Sequence, residues 1–143
     1  MITQDAARFY RLHSVYNTFD GVVLDCEEGK RIAQVLGSGE PCILHSHGLL
    51  TVEQSINEAP FWFVSLHKSC QAQLMAETAA AGSGNKKIYI REEGAISNCD
   101  QIGGPEKARL AFQGYYDEQL AKSNRNFLKQ GGIWVLNTLN TLN

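Results

Sequence analysis

The stretch from Ile43 to Thr51 carries the residues of this chain that are best suited to chemistry. An apolar run that predicts a β-strand ends in His45 and His47, and Gly48 follows them. Side chains two residues apart on a strand point to the same face, so the spacing predicts two imidazoles side by side. Such a pair can share a metal ion, a carboxylate or a proton. We therefore expect any catalysis within reach of His47.

Other polar side chains could support these two histidines, either from the same subunit or from a neighbouring one. They are Glu53, His13 and His67. Two uses stay open for the group, which are metal binding and acid–base catalysis by neutral imidazole near pH 7. Taken singly, His13 and His67 are more typical of histidines that make structural hydrogen bonds.

The elements that position these groups follow from hydrophobic spacing and from helix start and stop signals. Helices are predicted from a cap at Thr3 and over about 27–36, 57–81 and 106–121. Strands are predicted over 22–24, 41–47 and 88–90, while Val15 and Tyr16 fit a helix or a strand. Pro60 kinks the long helix unless it lies in the first turn, so we expect either a break or a helix start near Asn57. The order of elements is typical of the α/β class.

One side of the long helix is expected to pack against the core, because its apolar residues recur every three or four positions. These residues are Ile56, Ala59, Phe63, Leu66, Cys70 and Leu74. On the last helix, Leu110, Leu120 and one of two tyrosines, Tyr115 or Tyr116, are expected to face the core.

Composition and charge exclude several classes of protein. The chain has 143 residues, a formal net charge of −2 and no basic stripe, which argues against nucleic-acid binding. Its first twenty residues carry charges and no continuous apolar run, so we expect no signal peptide, no membrane partner and a cytoplasmic location. The cysteines at positions 26, 42, 70 and 99 form no Cys-x-x-Cys pair and are predicted to be reduced, buried side chains.

Several blocks of the sequence resemble the class II aldolase/adducin family, and the likeness is closest to its fungal members. The blocks are Ile2–Ala6, Gly21–Asp25, Glu27–Ala33, His47–Thr51, Glu58–Ala59 and Ser69–Leu74. They keep the family's order and spacing over residues 2–130. The resemblance implies an α/β/α sandwich, with a small, mainly antiparallel sheet flanked by helices. It also implies the chemistry of zinc-dependent aldolases, epimerases and decarboxylases, or the non-catalytic role of adducin heads.

The resemblance gives His47 a specific role. Family aldolases hold a divalent metal, zinc, with an early His-x-His pair and with a third histidine in a later His-Gly motif, which His47 matches. The metal would polarise a substrate carbonyl. This chain begins where the family's second half begins, so we expect a truncated domain without the His-x-His pair. One histidine cannot hold a catalytic zinc, which takes three protein ligands. In addition, Glu53 stands where family members usually have a glycine, and His45 stands where an amide or another polar residue is more common.

These observations leave three interpretations open. The first is a lyase- or cyclase-type enzyme that acts on a small carbonyl compound, with His47, His45 and Glu53 as catalytic residues. The second is a non-catalytic, adducin-like oligomerisation or binding domain, and the third is a degenerate product of a truncated gene. A halved sheet would expose a strand edge and an apolar face, so we expect a homo-oligomer, a dimer or higher.

The chain is divided into a domain of residues 1–130 and a C-terminal tail of residues 131–143. The tail contains the apolar segment Ile133–Leu136 and a repeated Thr-Leu-Asn unit. A second copy of the chain, or this apolar segment, is expected to cover the exposed face.

Overall fold

The computed structural model describes residues 1–19, 26–37 and 41–126. In these ranges five helices surround a small sheet, which confirms the predicted α/β class. The helices are α1 (Gln4–Ala7), α2 (Cys26–Leu36), α3 (Glu58–Ser83), α4 (Glu92–Ile102) and α5 (Pro105–Lys122). The strands are β1 (Ser14–Tyr16), β2 (Pro41–Leu44) and β3 (Gly48–Thr51). None of the described helices is both long enough and apolar enough to cross a bilayer.

The sheet has the order β1-β2-β3. Strand β1 runs parallel to β2, with Val15 opposite Ile43, and β2 runs antiparallel to β3, with Ile43 opposite Leu49. Because α2 lies between two parallel neighbours, β1, α2 and β2 form a βαβ unit. The described sheet is therefore mixed, with one parallel and one antiparallel pair, where a mainly antiparallel sheet was expected.

Helix boundaries follow the capping signals in the sequence. The Thr3 hydroxyl accepts a hydrogen bond from the Ala6 N–H at 3.1 Å, as an N-cap does. Before α3, the Ser55 hydroxyl accepts from the Glu58 N–H at 3.4 Å and donates to the Glu58 carboxylate at 2.6 Å. Gly84 ends α3 in the left-handed conformation, with φ at +69°. The predicted start near Asn57 is confirmed, and Pro60 lies in the first turn.

The core forms where α1, α3 and α5 meet. Phe9, Phe61, Trp62, Leu66 and Ala108 are its buried members. The Trp62 ring meets Phe9 edge-on at 5.5 Å and Phe61 at 5.3 Å. Each large apolar side chain buried in this way contributes about 1.5–3 kcal/mol to folding.

The predicted packing face of α3 was right at Leu66, which is buried, and at Cys70, which packs against the core, but wrong at other positions. On α3, Ile56 precedes the helix and is 89% exposed, and Leu74 is 68% exposed, while Trp62 is 2% exposed. Apolar residues lie on several sides of α3, so their spacing did not determine which side packs. On α5, Leu110 is exposed, and the core contact is made by Ala108 instead.

Other predictions differ from the structure locally. Residues 88–90 form no strand, although the Ile90 N–H donates to the Met1 carbonyl at 2.9 Å. Helix α4 lies between residues 90 and 105, where no element was predicted. Cys26 is exposed, contrary to the expectation of a buried side chain, and all four cysteines are free thiols. The predicted strand at 22–24 and the tail at 131–143 lie outside the described residues.

Candidate functional site

His45 and His47 lie in the turn of a β-hairpin. Strand β2 ends at Leu44 and β3 begins at Gly48, so the predicted strand over 41–47 was too long by three residues. The His47 N–H donates to the Leu44 carbonyl at 3.1 Å, which closes the turn. Ser46 takes up the reversal in the left-handed region, with φ at +56°. The two histidines are thus neighbours across a turn residue and do not share a strand face.

Both imidazoles reach solvent. The His47 ring meets the ring of Phe19 edge-on, with the centroids 6.4 Å apart and the planes at 88°. The Nδ1 atom of His45 lies 3.3 Å from the Ser46 hydroxyl. An accessible imidazole can take up or release a proton near neutral pH and can coordinate a metal through an unprotonated nitrogen. The turn therefore offers two chemically competent groups beside one aromatic surface.

Glu53 lies beyond the open end of the hairpin, opposite the turn that holds His45 and His47. In the register, Gly48 pairs with Leu44 beside the turn, and Thr51 pairs with Pro41 at the far end. Glu53 follows Thr51 by two residues, and each strand residue adds about 3.3 Å. The Glu53 carboxylate is thus held away from His47 within one copy of the chain, and its Oε1 atom is buried.

The other two histidines also lie apart from the turn. The Nδ1 atom of His13 is 3.0 Å from the Phe9 carbonyl oxygen, which requires the proton on Nδ1 and leaves Nε2 as an acceptor in the neutral ring. His67 is exposed on α3. In the described ranges, no three side chains of the His, Cys, Asp and Glu types are placed to hold one metal ion. Two histidines fall short of the three protein ligands of a catalytic zinc, so this part of the chain does not complete such a site.

A cavity of about 350 Å³ lies elsewhere, between α1, the sheet and α3. Its wall includes Phe9, Ile43 and Leu66 as apolar residues and Ser69 and Cys70 as polar ones. Ser69 is 9% exposed. Burial raises the pKa of the Cys70 thiol, so this thiol stays protonated at neutral pH.

Sequence reasoning missed this cavity. Ser69 stands three residues after Leu66 and Gln73 stands four residues after Ser69, so two polar side chains interrupt the apolar residues of this helix face. A polar residue on a packed face was the available signal. The space beside that face depends on how α1 and the sheet lie against α3, which no local pattern encodes.

Comparisons with known proteins agree with the fold. The family model described as Class II Aldolase and Adducin N-terminal domain matches residues 1–74. The decarboxylase NovR of Streptomyces niveus is 40% identical over 121 residues, an alignment that covers 85% of this chain and 43% of that protein. A protein of Streptomyces roseochromogenus subsp. oscitans, named 4-hydroxy-3-prenylphenylpyruvate oxygenase/4-hydroxy-3-prenylbenzoate synthase, is 38% identical over 122 residues, which cover 85% of this chain and 42% of that protein.

A solved structure extends the comparison to three dimensions. The L-fuculose 1-phosphate aldolase from Glaciozyma antarctica PI12 superposes with a TM-score of 0.73 at 28% identity, over 86% of this chain and 44% of that chain. The chain spans less than half the length of each of these proteins. The family model nevertheless matches more than half of the 143 residues, and the helices and strands follow an aldolase of known structure. The chain therefore belongs to the class II aldolase/adducin family.

Proposed function

We propose that this chain is part of a lyase-type enzyme that acts on a small carbonyl compound at the turn holding His45 and His47. The proposal depends above all on the exposure of both imidazoles on a turn that main-chain hydrogen bonds fix in place. The reaction class is supported by two relatives, one named a decarboxylase and one named after a phenylpyruvate, which is an α-keto acid.

Aldol cleavage, enolisation and the decarboxylation of β-keto acids share one intermediate, the enol or enolate of a carbonyl group. In the proposed step, neutral His47 removes a proton from the carbon next to the carbonyl. The electron pair of the broken C–H bond then forms the enolate, whose negative charge rests on the oxygen. An N–H of His45 donates a hydrogen bond to that oxygen. Acid–base catalysis of this kind contributes about 10²- to 10⁴-fold to a rate.

Solvent exchange tests this step without knowledge of the natural substrate. The full chain is incubated in heavy water with a panel of α-keto acids and hydroxyketones, and NMR follows deuterium entering the carbon beside the carbonyl. His47→Gln should slow the exchange by about 10²-fold or more. His67→Gln, which changes an exposed histidine on α3, is the matched control and should leave the rate unchanged. Wild-type exchange no faster than in buffer would refute the proposal.

We assign Glu53 to the same site through a second copy of the chain, because within one copy it lies at the opposite end of the hairpin from His47. This requires the homo-oligomer that the sequence predicts. Three exposed apolar side chains support such an assembly: Ile56 at 89%, Leu74 at 68% and Met75 at 66% exposure. Strands β1 and β3 are also both edges of the described sheet.

Complementation tests the shared site. His47→Gln and Glu53→Gln are each expected to be inactive alone. In a twofold dimer, their mixture should recover about a quarter of wild-type activity, because half of the dimers are mixed and each mixed dimer has one intact site. A mixture that exchanges subunits, as shown by mass spectrometry, but recovers no activity would place Glu53 outside the site.

A divalent metal would be held through His47, and a complete zinc site would need donors from a second copy or from residues outside the described ranges. Elemental analysis of the purified chain, with His47→Gln as its control, measures this directly. Zinc bound in equal amounts by both proteins would exclude His47 as a ligand.

The alternative is a non-catalytic assembly domain like the head of adducin. It is favoured by the incomplete set of metal donors in the described part of the chain. In that case, changing His45 and His47 together to Gln and Asn should leave both stability and oligomeric state unchanged, and the wild type should not accelerate exchange.

A further inference from the structure

Strand β3 forms one edge of the described sheet, and the hydrogen bonds of β2 show which of its main-chain groups point outward. The His45 N–H donates to the Tyr16 carbonyl of β1 at 2.9 Å, so residue 45 faces β1. Main-chain groups alternate between the two sides of a strand. Leu44 and Cys42 therefore face β3.

The same alternation leaves two residues of β3 facing away from the sheet. The register partners of Cys42 and Leu44 are Leu50 and Gly48, which therefore face β2. The N–H and C=O groups of the alternate residues, 49 and 51, point to the free edge. None of the described residues pairs with these groups. Each copy of the chain thus presents two donors and two acceptors in a row.

Residues 48–52 lack the features that usually keep an edge strand from pairing. Their sequence is Gly-Leu-Leu-Thr-Val, without a charge and without a proline. Val52 is 50% exposed, and a Cβ atom built on Gly48 would have no other atom within 4 Å. The edge is therefore open at both ends and is chemically suited to a further strand.

We propose that β3 pairs antiparallel with β3 of a second copy, around a twofold axis at Leu50, and that this pairing carries Glu53 to the shared site. In this register Leu49 lies opposite the partner subunit's Thr51, and the reverse pair repeats across the axis. Four hydrogen bonds then use every outward main-chain group of both strands. The free edge is thus complementary to itself.

The neighbouring registers use this edge less well. An axis at Leu49 would place Thr51 opposite residue 47, but the His47 N–H already donates to the Leu44 carbonyl at 3.1 Å. An axis at Thr51 would place Leu49 opposite residue 53, which lies beyond the end of β3. Pairing of β3 with β1 of another copy would not close and would continue into a filament. A twofold dimer around Leu50 avoids all three problems.

The same register brings complementary residues together. Val52 lies opposite Gly48 of the other copy, where open space can accept its side chain. One residue further along, the partner subunit's Glu53 comes level with the turn that holds His47. The catalytic role of Glu53 rests on the proposed function, whereas the pairing of the strands does not depend on any reaction.

Amide exchange followed by NMR tests the pairing in the wild-type chain. The Leu49 and Thr51 N–H groups donate across the axis only in the dimer. Their exchange should therefore slow by about tenfold or more as the protein concentration rises and most chains pair. The Leu50 N–H faces β2 in both states and is the internal control, so its rate should change much less. Light scattering on the same samples measures the fraction of dimer.

A disulfide tests the register. Leu50→Cys places two thiols across the axis at a Cα separation of about 4.5 Å, which a disulfide can span. Oxidation should link this variant about tenfold faster than the wild type, whose exposed Cys26 sets the background. Val52→Cys is the matched control, because residue 52 is the more exposed of the two but lies about 13 Å from its own copy across the axis. Equal linking of the two variants would overturn the register.

The pairing and the catalytic role can fail separately. Rapid linking of Leu50→Cys, together with no activity in the mixture of His47→Gln and Glu53→Gln, would remove Glu53 from the site and support the pairing. Recovered activity without concentration-dependent protection at residues 49 and 51 would place the shared site on another surface and overturn the pairing. A chain that stays monomeric at every concentration would overturn it as well.

Discussion

Replacing Ser69 with alanine should stabilise the protein. The Oγ atom is buried and has no partner among the described residues, and an unsatisfied buried hydroxyl costs about 1–3 kcal/mol. Alanine is also the better residue within a helix, by about 0.5 kcal/mol. Since the loss of one oxygen leaves the apolar contacts of α3 in place, the free energy of unfolding should rise by about 1.5–3.5 kcal/mol.

Urea denaturation followed by circular dichroism measures this gain, provided that the slope of the transition is unchanged. The melting temperature should rise by at least about 4 °C for a chain of this size. Ser65→Ala carries the helix-propensity gain alone, so the difference between the two variants isolates the buried hydroxyl. If Ser69→Ala gains no more than Ser65→Ala, the hydroxyl is already satisfied in solution, and the reasoning about its burial is refuted.

Three further predictions follow from single residues. Ser46→Gly should raise the free energy of unfolding by about 0.5–1 kcal/mol, because glycine adopts the left-handed conformation found there without strain. Ser46→Val should lower the free energy of unfolding. Shifts of the same sign for both variants in urea denaturation would contradict this. Because burial raises the pKa of the Cys70 thiol, the pH midpoint of its alkylation should lie higher in the folded chain than in urea; equal midpoints would count against the cavity wall as described. Gly103→Ala should lower stability by about 1–3 kcal/mol, because a Cβ atom there would lie 2.4 Å from the Cys99 carbonyl oxygen. Gly114→Ala, with open space around it, is the control and should not destabilise.

Helix ends were predictable because they are determined by a few neighbouring residues. Thr3 caps α1, and Ser55 and Glu58 make the reciprocal contact before α3. Gly84 ends α3 in a conformation that glycine adopts without strain. Each of these features depends on two or three residues close in sequence, so local chemistry was sufficient.

The end of β2 was not predictable in the same way. The residue that takes the left-handed conformation in the turn is Ser46, and the sequence offers no glycine between the two histidines as a signal. The sequence therefore gave no sign that the apolar residues of β3 form a second strand. The error mattered for the site, because a hairpin moves Glu53 to the end opposite His47.

The position of the two histidines depends on contacts outside the hairpin. The His45 N–H donates to the Tyr16 carbonyl of β1 at 2.9 Å, and the Tyr16 hydroxyl accepts from Arg31 of α2 at 3.4 Å. Tyr16 is 5% exposed, and a two-stranded hairpin alone is only marginally stable. The turn is therefore part of the βαβ unit. A ligand that binds only the native turn must stabilise β1 and α2 together with the hairpin, so it should slow hydrogen exchange at the His45 amide and along β1 alike.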